Sequence, residues 1–222
     1  MPTLRSDNME KRRERILQEA RQIIAQQGYD ALNIRDLAEA SELTVPTIYN
    51  LIGNKEALLN CLMLECLKSF AERMAEYKDV SVRDNPKAVA DTIIGIFAEN
   101  QDYFRSTALA SEKLEGQHDI HGLTGVMRKP LEQMVMARYQ RSLSEGLLEG
   151  KIAPEIMVNQ LITSFQPPFR EWIHGVIDLD ELHRRTLLGN YLSLAADATP
   201  EFKQELLQYI AELQLPETQL SK

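Results

Sequence analysis

The chain has 222 residues, 44% of them hydrophobic and 26% charged, with only 10 glycines and 9 prolines. This is ordinary globular composition, enough to bury a core without metals or disulfides, and it excludes collagen-like, disordered and loop-rich all-β chains. The formal net charge of −8 opposes nucleic acid on average, so DNA binding is open only to a local surface.

The opening segment, MPTLRSDNMEKRRER, has no apolar centre and does not read as a signal peptide. Nowhere do about 18 apolar residues run uninterrupted, so no membrane-spanning helix is expected. Ile16, Ala20, Ile23, Ile24 and Gln27 follow three-and-four spacing, and Gly28 comes next as a stop. Asn33 is placed to cap IRDLAEA. Thr44 is placed to cap VPTIYNL, with Pro46 in the first turn, where its missing N–H costs nothing. Asn54 caps a longer segment whose stripe is Leu58, Leu59, Leu62, Met63, Cys66, Leu67 and Phe70. Cys61 and Cys66, the two cysteines, fall about 140° apart around that helix and do not face each other. Two free thiols fit a reducing compartment, so the expected location is the cytoplasm.

Further helices follow: Pro86 to about Asn100, a short piece around Tyr103–Leu114, and Met127 to Leu148, stopped by Gly150. Pro154 starts the next, which meets Pro167 and Pro168 midway; that pair is expected to kink or break it. Asp178 or Asp180 caps LHRRTLLGNYLSLAA, and Thr199-Pro200-Glu201 opens a last helix that Pro216 stops before a frayed end. No run of alternating β-branched residues competes. The expected fold is all-α, with about nine or ten helices and no internal repeat.

Three short helices within fifty residues, the second and third joined by a tight turn, suit a helix-turn-helix. Ile34, Leu37 and Ala38 face inward from the second helix, Leu43 sits at the turn, and Ile48 and Leu51 anchor the third. The outward face of the third helix is then Thr44, Val45, Pro46, Thr47, Tyr49 and Asn50, mostly short hydroxyl or amide side chains suited to phosphates and base edges. A packed helical hairpin without a ligand fits the same pattern. Residues 1–60 hold eight basic and nine acidic side chains, net −1, against −7 for the rest, so the charge balance permits DNA binding only at this end.

Gly28-Tyr29, Arg35-Asp36-Leu37-Ala38, Thr47-Ile48-Tyr49 and Lys55-Glu56-Ala57-Leu58 stand at the spacing of a known family. Residues 12–60 resemble the DNA-binding region of TetR-like transcriptional regulators, and chain length and helical remainder agree. The resemblance implies a helix-turn-helix domain over 1–54 and a larger helical effector-binding and dimerisation domain over 55–222. By position, Thr44, Thr47 and Tyr49 would contact phosphates, with Lys55 and Asn33 adding phosphate contacts at helix starts. Arg35, Val45, Pro46 and Asn50 would reach bases in the major groove, and Arg12 and Arg13 phosphates or the minor groove. Three departures stand out. Glu42 occupies the turn position where the family usually has glycine, at a cost of about 1 kcal/mol if the backbone there is left-handed, and its carboxylate is expected near phosphates. Val45 replaces a usual Lys or Arg, and Asn50-Leu51-Ile52 replaces a histidine pair and an aromatic.

The resemblance further implies a dimer reading an inverted repeat in double-stranded DNA and responding to a small-molecule effector. The apolar residues of 182–196 cover more than one face, so one can serve the core and another a partner helix, with Gly189 allowing close approach. Phe97, Tyr103, Phe104, Met134, Tyr139, Phe165, Phe169 and Trp172 are the effector-lining candidates, and a mostly apolar or aromatic effector is expected. The same side chains also suit plain core or dimer packing. Glu115, His118, Asp119 and His121 share a loop but match no standard metal spacing, and neither cofactor nor metal is expected. No nucleophile elbow or phosphate loop suggests an enzyme. Two alternatives to an effector-controlled repressor stay open: a TetR-like DNA binder that is controlled by a protein partner or unregulated, and a helical enzyme.

Overall fold

A computed structural model describes residues 4–76, 83, 85–115 and 125–214. Among them are ten helices and no strand: α1 (Leu4–Gln27), α2 (Ile34–Ala40), α3 (Val45–Leu51), α4 (Lys55–Glu76), α5 (Asn85–Glu99), α6 (Gln101–Glu115), α7 (Gly125–Ser144), α8 (Pro154–Ile173), α9 (Leu179–Ala195) and α10 (Pro200–Glu212). Local chemistry sets several starts. The Asn33 side chain accepts the Asp36 N–H at 2.9 Å, that of Asn54 the Ala57 N–H at 2.8 Å, and that of Asp178 the Glu181 N–H at 2.9 Å. Each satisfies one of the orphan donors of a helix N-terminus. Asp178, and not Asp180, is therefore the cap of α9. α1 begins about three turns before Ile16, through a polar stretch with no apolar stripe to announce it.

The described residues divide into two compact units, the first within Met1–Ser69 and Glu99–Met127, the second within Phe70–Ala98 and Arg128–Lys222. In the first, Ile16, Ala20 and Ile24 of α1 meet Leu37 and Ala38 of α2, Ile48 of α3 and Leu58, Leu59 and Leu62 of α4. α6 packs along α1 and adds Tyr103 and Ala110 to this core. Tyr103 and Phe104 thus stand with the helix-turn-helix core and not with the other effector-lining candidates.

In the second unit α9 packs between α8 and α10. The Cβ that Gly189 lacks would lie 3.1 Å from Ser164, so glycine lets α9 approach α8 of the same chain. α8 runs through Pro167-Pro168 as one helix, so of the expected kink or break the break does not occur. The pair removes two donors, but Met157, Val158 and Ile162 before it and Trp172 and Ile173 after it are all buried. That packing holds both halves in register. An isolated bridge joins Leu148 to Ala198, and the Leu147 carbonyl accepts the Thr199 N–H at 2.9 Å. α7 therefore stops at Ser144, short of the Leu148 expected from periodicity. The Glu115, His118, Asp119 and His121 cluster falls on or beside a stretch outside the described residues, as do Pro216 and the C-terminal end.

Candidate nucleic-acid interface

The turn between α2 and α3 is closed by two backbone bonds, Glu42 N–H to Glu39 carbonyl at 3.0 Å and Leu43 N–H to Ala38 carbonyl at 2.8 Å. Together they end α2 in a Schellman motif, which needs a left-handed residue at Glu42, and its φ is 52°. Every other described residue with a positive φ is glycine. Glu42 therefore carries a backbone cost of about 1 kcal/mol that glycine would not. Its carboxylate is ion-paired with Arg15 of α1. Both side chains are open to solvent, 44% for Arg15 and 80% for Glu42, and a pair so exposed contributes about 0–1 kcal/mol. The pair at most offsets the strain.

α3 begins at Thr44, whose hydroxyl lies 2.8 Å from that of Thr47 and 3.4 Å from the Thr47 N–H. Ile48 is fully buried and fixes the rotation of α3. Pro46, Tyr49 and Asn50 then point outward, Tyr49 with 53% of its surface exposed although nothing in the fold requires an exposed aromatic there. Arg35 and Asn33 are exposed on α2 and its cap. Val45 is half-buried against the core, so only part of it is offered outward. Asn33 spends both side-chain atoms on Asp36: its oxygen accepts the backbone N–H, and its Nδ2 donates to the carboxylate at 2.5 Å.

Lys55, at the start of α4, lies with Nζ 4.4 Å from the centre of the Tyr29 ring and donates to the Asp30 carbonyl at 3.3 Å. The Tyr29 hydroxyl in turn donates to the Lys55 carbonyl at 3.1 Å. Partial desolvation pulls the Lys55 ammonium below its ordinary pKa, with Asp30 opposing. Burial, then Glu56 and Asp30, push the Tyr29 phenol up to about 12. The ammonium is thus held in one place at the N-terminus of a long helix, where the dipole also favours an anion.

Sequence reasoning missed what the arginines of α1 do. Arg13 donates to the Leu51 carbonyl at 3.1 Å, at the C-terminal end of α3, and to the Cys61 sulfur at 3.0 Å. It ties α3 to α1 and α4 and is not held free. Arg21 is paired with Glu65 and Glu14. No local spacing could have revealed these partners, which are 38 to 48 residues away for Arg13.

Of the effector-lining candidates, the structure brings together four in the second unit. Phe97 of α5 stacks on Trp172 at 4.9 Å between ring centres, and Phe169 lies 5.6 Å from Phe97, 5.2 Å from Phe165 and 5.8 Å from Trp172. These are contact separations. Met134 is half-buried on α7. Tyr139 is buried and donates to Asp197 at 2.8 Å.

Residues 16–62 match the family model of the bacterial regulatory proteins of the tetR family. No curated protein matches the sequence. Among solved structures, a protein from Syntrophomonas wolfei str. Goettingen assigned to the TetR-family transcriptional regulators aligns with a TM-score of 0.66 at 17% identity, covering 83% of this chain and 95% of that one. One from Rhodococcus sp., so assigned too, gives 0.64 at 17% identity over 83% and 99%. SmeT, the repressor of the Stenotrophomonas maltophilia multidrug efflux pump SmeDEF, gives 0.59 at 16% identity over 86% and 92%. At such identities the likeness is one of fold.

Proposed function

We propose, for a chain that has the TetR-family regulator fold and carries that family's helix-turn-helix domain, that it is a dimeric repressor binding an inverted-repeat operator. Regulators of this family are transcription factors, which leaves the helical-enzyme alternative without support. The observation that carries the reading is α3. It is capped by Thr44, locked by Ile48, and presents Pro46, Tyr49 and Asn50 outward, with the half-exposed Thr47 next to its cap. Thr44, Thr47, Tyr49, Lys55 and Asn33 serve phosphates; Arg35, Asn50, Pro46 and the exposed part of Val45 serve base edges. The dimer surface is on α8 and α9, where Ile156 and Leu192 are 64% and 55% exposed.

The effector site is placed at Phe97, Phe165, Phe169 and Trp172, suited to a flat apolar or aromatic molecule. A second reading has an observation in its favour. The rings already touch one another, so an effector has to displace one, and a regulator answering to a protein partner needs no such opening.

Selection from random duplex DNA at roughly physiological salt tests the function. An inverted repeat is the expected product, and a folded protein that enriches no sequence refutes operator reading. Thermal shift with a panel of aromatic compounds separates the two modes of control, because an effector raises the Tm by mass action.

A further inference from the structure

We propose that Glu42 determines specificity by holding the Arg15 guanidinium away from DNA phosphates, and this rests on the DNA-binding function proposed above. Glu42 stands two residues before Thr44, the cap of the reading helix, and its exposed carboxylate is paired with Arg15 of α1. It occupies a left-handed backbone position that glycine takes without strain. Its one ion pair is solvent-exposed and adds little to stability. The fold therefore gains next to nothing from a glutamate here. What a glutamate supplies and a glycine does not is a negative charge on Arg15.

The charge balance of the domain gives this weight. Residues 1–60 are net −1. Arg13 is engaged with Leu51 and Cys61, and Arg21 with Glu14 and Glu65. Sequence-independent affinity for DNA comes from the number of phosphates that cations neutralise. With Arg15 occupied by Glu42, that number falls by one on each protomer. Base contacts from Arg35 and Asn50 then carry a larger share of binding, and the ratio of operator to random affinity rises.

A four-protein cycle tests this: wild type, Glu42→Gln, Arg15→Gln and the double variant. Each is titrated by fluorescence anisotropy against a random-sequence duplex and against the selected operator over a range of salt. Glu42→Gln should tighten random-duplex binding about fivefold to tenfold at low salt and steepen the slope of log K against log salt by about one per protomer bound. Operator affinity should rise less, so the specificity ratio falls. Arg15→Gln alone should change random-duplex binding less than twofold, and in the Glu42→Gln background it should abolish the gain. Glu42→Gly, which also relieves the backbone strain, should behave like Glu42→Gln and melt at a higher temperature, which separates charge from folding. If Arg15→Gln alone flattens the salt slope by about one, Arg15 already binds phosphate and the proposal is overturned. A wild type that binds the operator with a flat cycle overturns this inference and spares the function. Four folded proteins that bind no duplex at any salt overturn both.

Discussion

Asp197 is 1% exposed, and its carboxylate accepts four bonds: from the Tyr139 hydroxyl at 2.8 Å and from the N–H groups of Gly150, Lys151 and Ile152 at 3.1, 2.8 and 3.2 Å. It gathers the loop between α7 and α8 around one anion. Asp197→Ala would leave three amides without their acceptor, each worth about 1–3 kcal/mol when buried, while the Tyr139 hydroxyl keeps the Ile152 carbonyl at 3.3 Å. Partial rehydration limits the total to roughly 3–5 kcal/mol, which lowers the Tm by roughly 10 °C in a domain of this size. Asp197→Asn keeps one acceptor oxygen and should fall between. Urea melts of the three proteins check the order, and an Asp197→Ala melt equal to the wild type would show that the loop is held by other means. The phenols make a second prediction at this scale. Tyr29 and Tyr139 are both raised from 10.0 to about 12, first by burial, and Tyr103 is raised further for the same reason. Between pH 10 and 12 the folded chain keeps these protons while the unfolded chain loses them. Unfolding is then favoured as pH rises, so this stability is complete below pH 10 and lost through pH 12. Phenolate absorbance should show a late, cooperative step that coincides with loss of helical circular dichroism.

Two glycines inside helices have opposite surroundings. A Cβ at Gly95 of α5 meets nothing within 4 Å, so Gly95→Ala should stabilise by about 0.5–1 kcal/mol through the backbone entropy of the unfolded chain alone. At Gly189 the Cβ meets Ser164 at 3.1 Å, and Gly189→Val adds further carbons in the same place. That variant should lose about 1–3 kcal/mol by forcing α9 off α8. Denaturant midpoints read both, and a stabilised Gly189→Val would mean that the crossing is looser than its geometry. The same contrast shows which parts of the fold were legible beforehand. Asn33, Thr44 and Asn54 were readable as caps because a cap acts on a donor three residues away. Local propensity at Pro167-Pro168 predicts a kink or a break, and no break occurs because buried side chains on both sides of the pair outweigh two missing bonds. Tyr103 and Phe104 are effector-lining candidates by sequence, but α6 packs back on α1, a pairing invisible to periodicity. The outward face of α3, with Pro46, Tyr49 and Asn50, is legible because the helix is short and one buried residue, Ile48, fixes its rotation. Asp197, whose partners are 45 to 58 residues away, was not.

For the molecule as a whole, the net charge of −8 sets the terms of DNA binding. A protomer that carries this charge and a reading domain of net −1 gains little from phosphate attraction, so one head alone should hold DNA weakly. Two heads joined as a dimer bind the second half-site intramolecularly, and the gain can reach about 10²–10⁴-fold without any new contact. If the chain is the dimer proposed above, dimerisation is where most of the operator affinity should arise, and it should be removable without touching the heads. Ile156 and Leu192 are more than half exposed in the single chain, so changing both to glutamate should leave its melting nearly unchanged in the monomeric state. Light scattering should show a monomer in place of a dimer. Affinity for the inverted repeat should fall at least 100-fold, the salt slope should roughly halve, and affinity for an isolated half-site should stay within twofold of the wild type. A monomer that still binds the full repeat tightly would show that each head carries its own affinity, and the low phosphate attraction inferred from Glu42 and Arg15 would have to be given up with it.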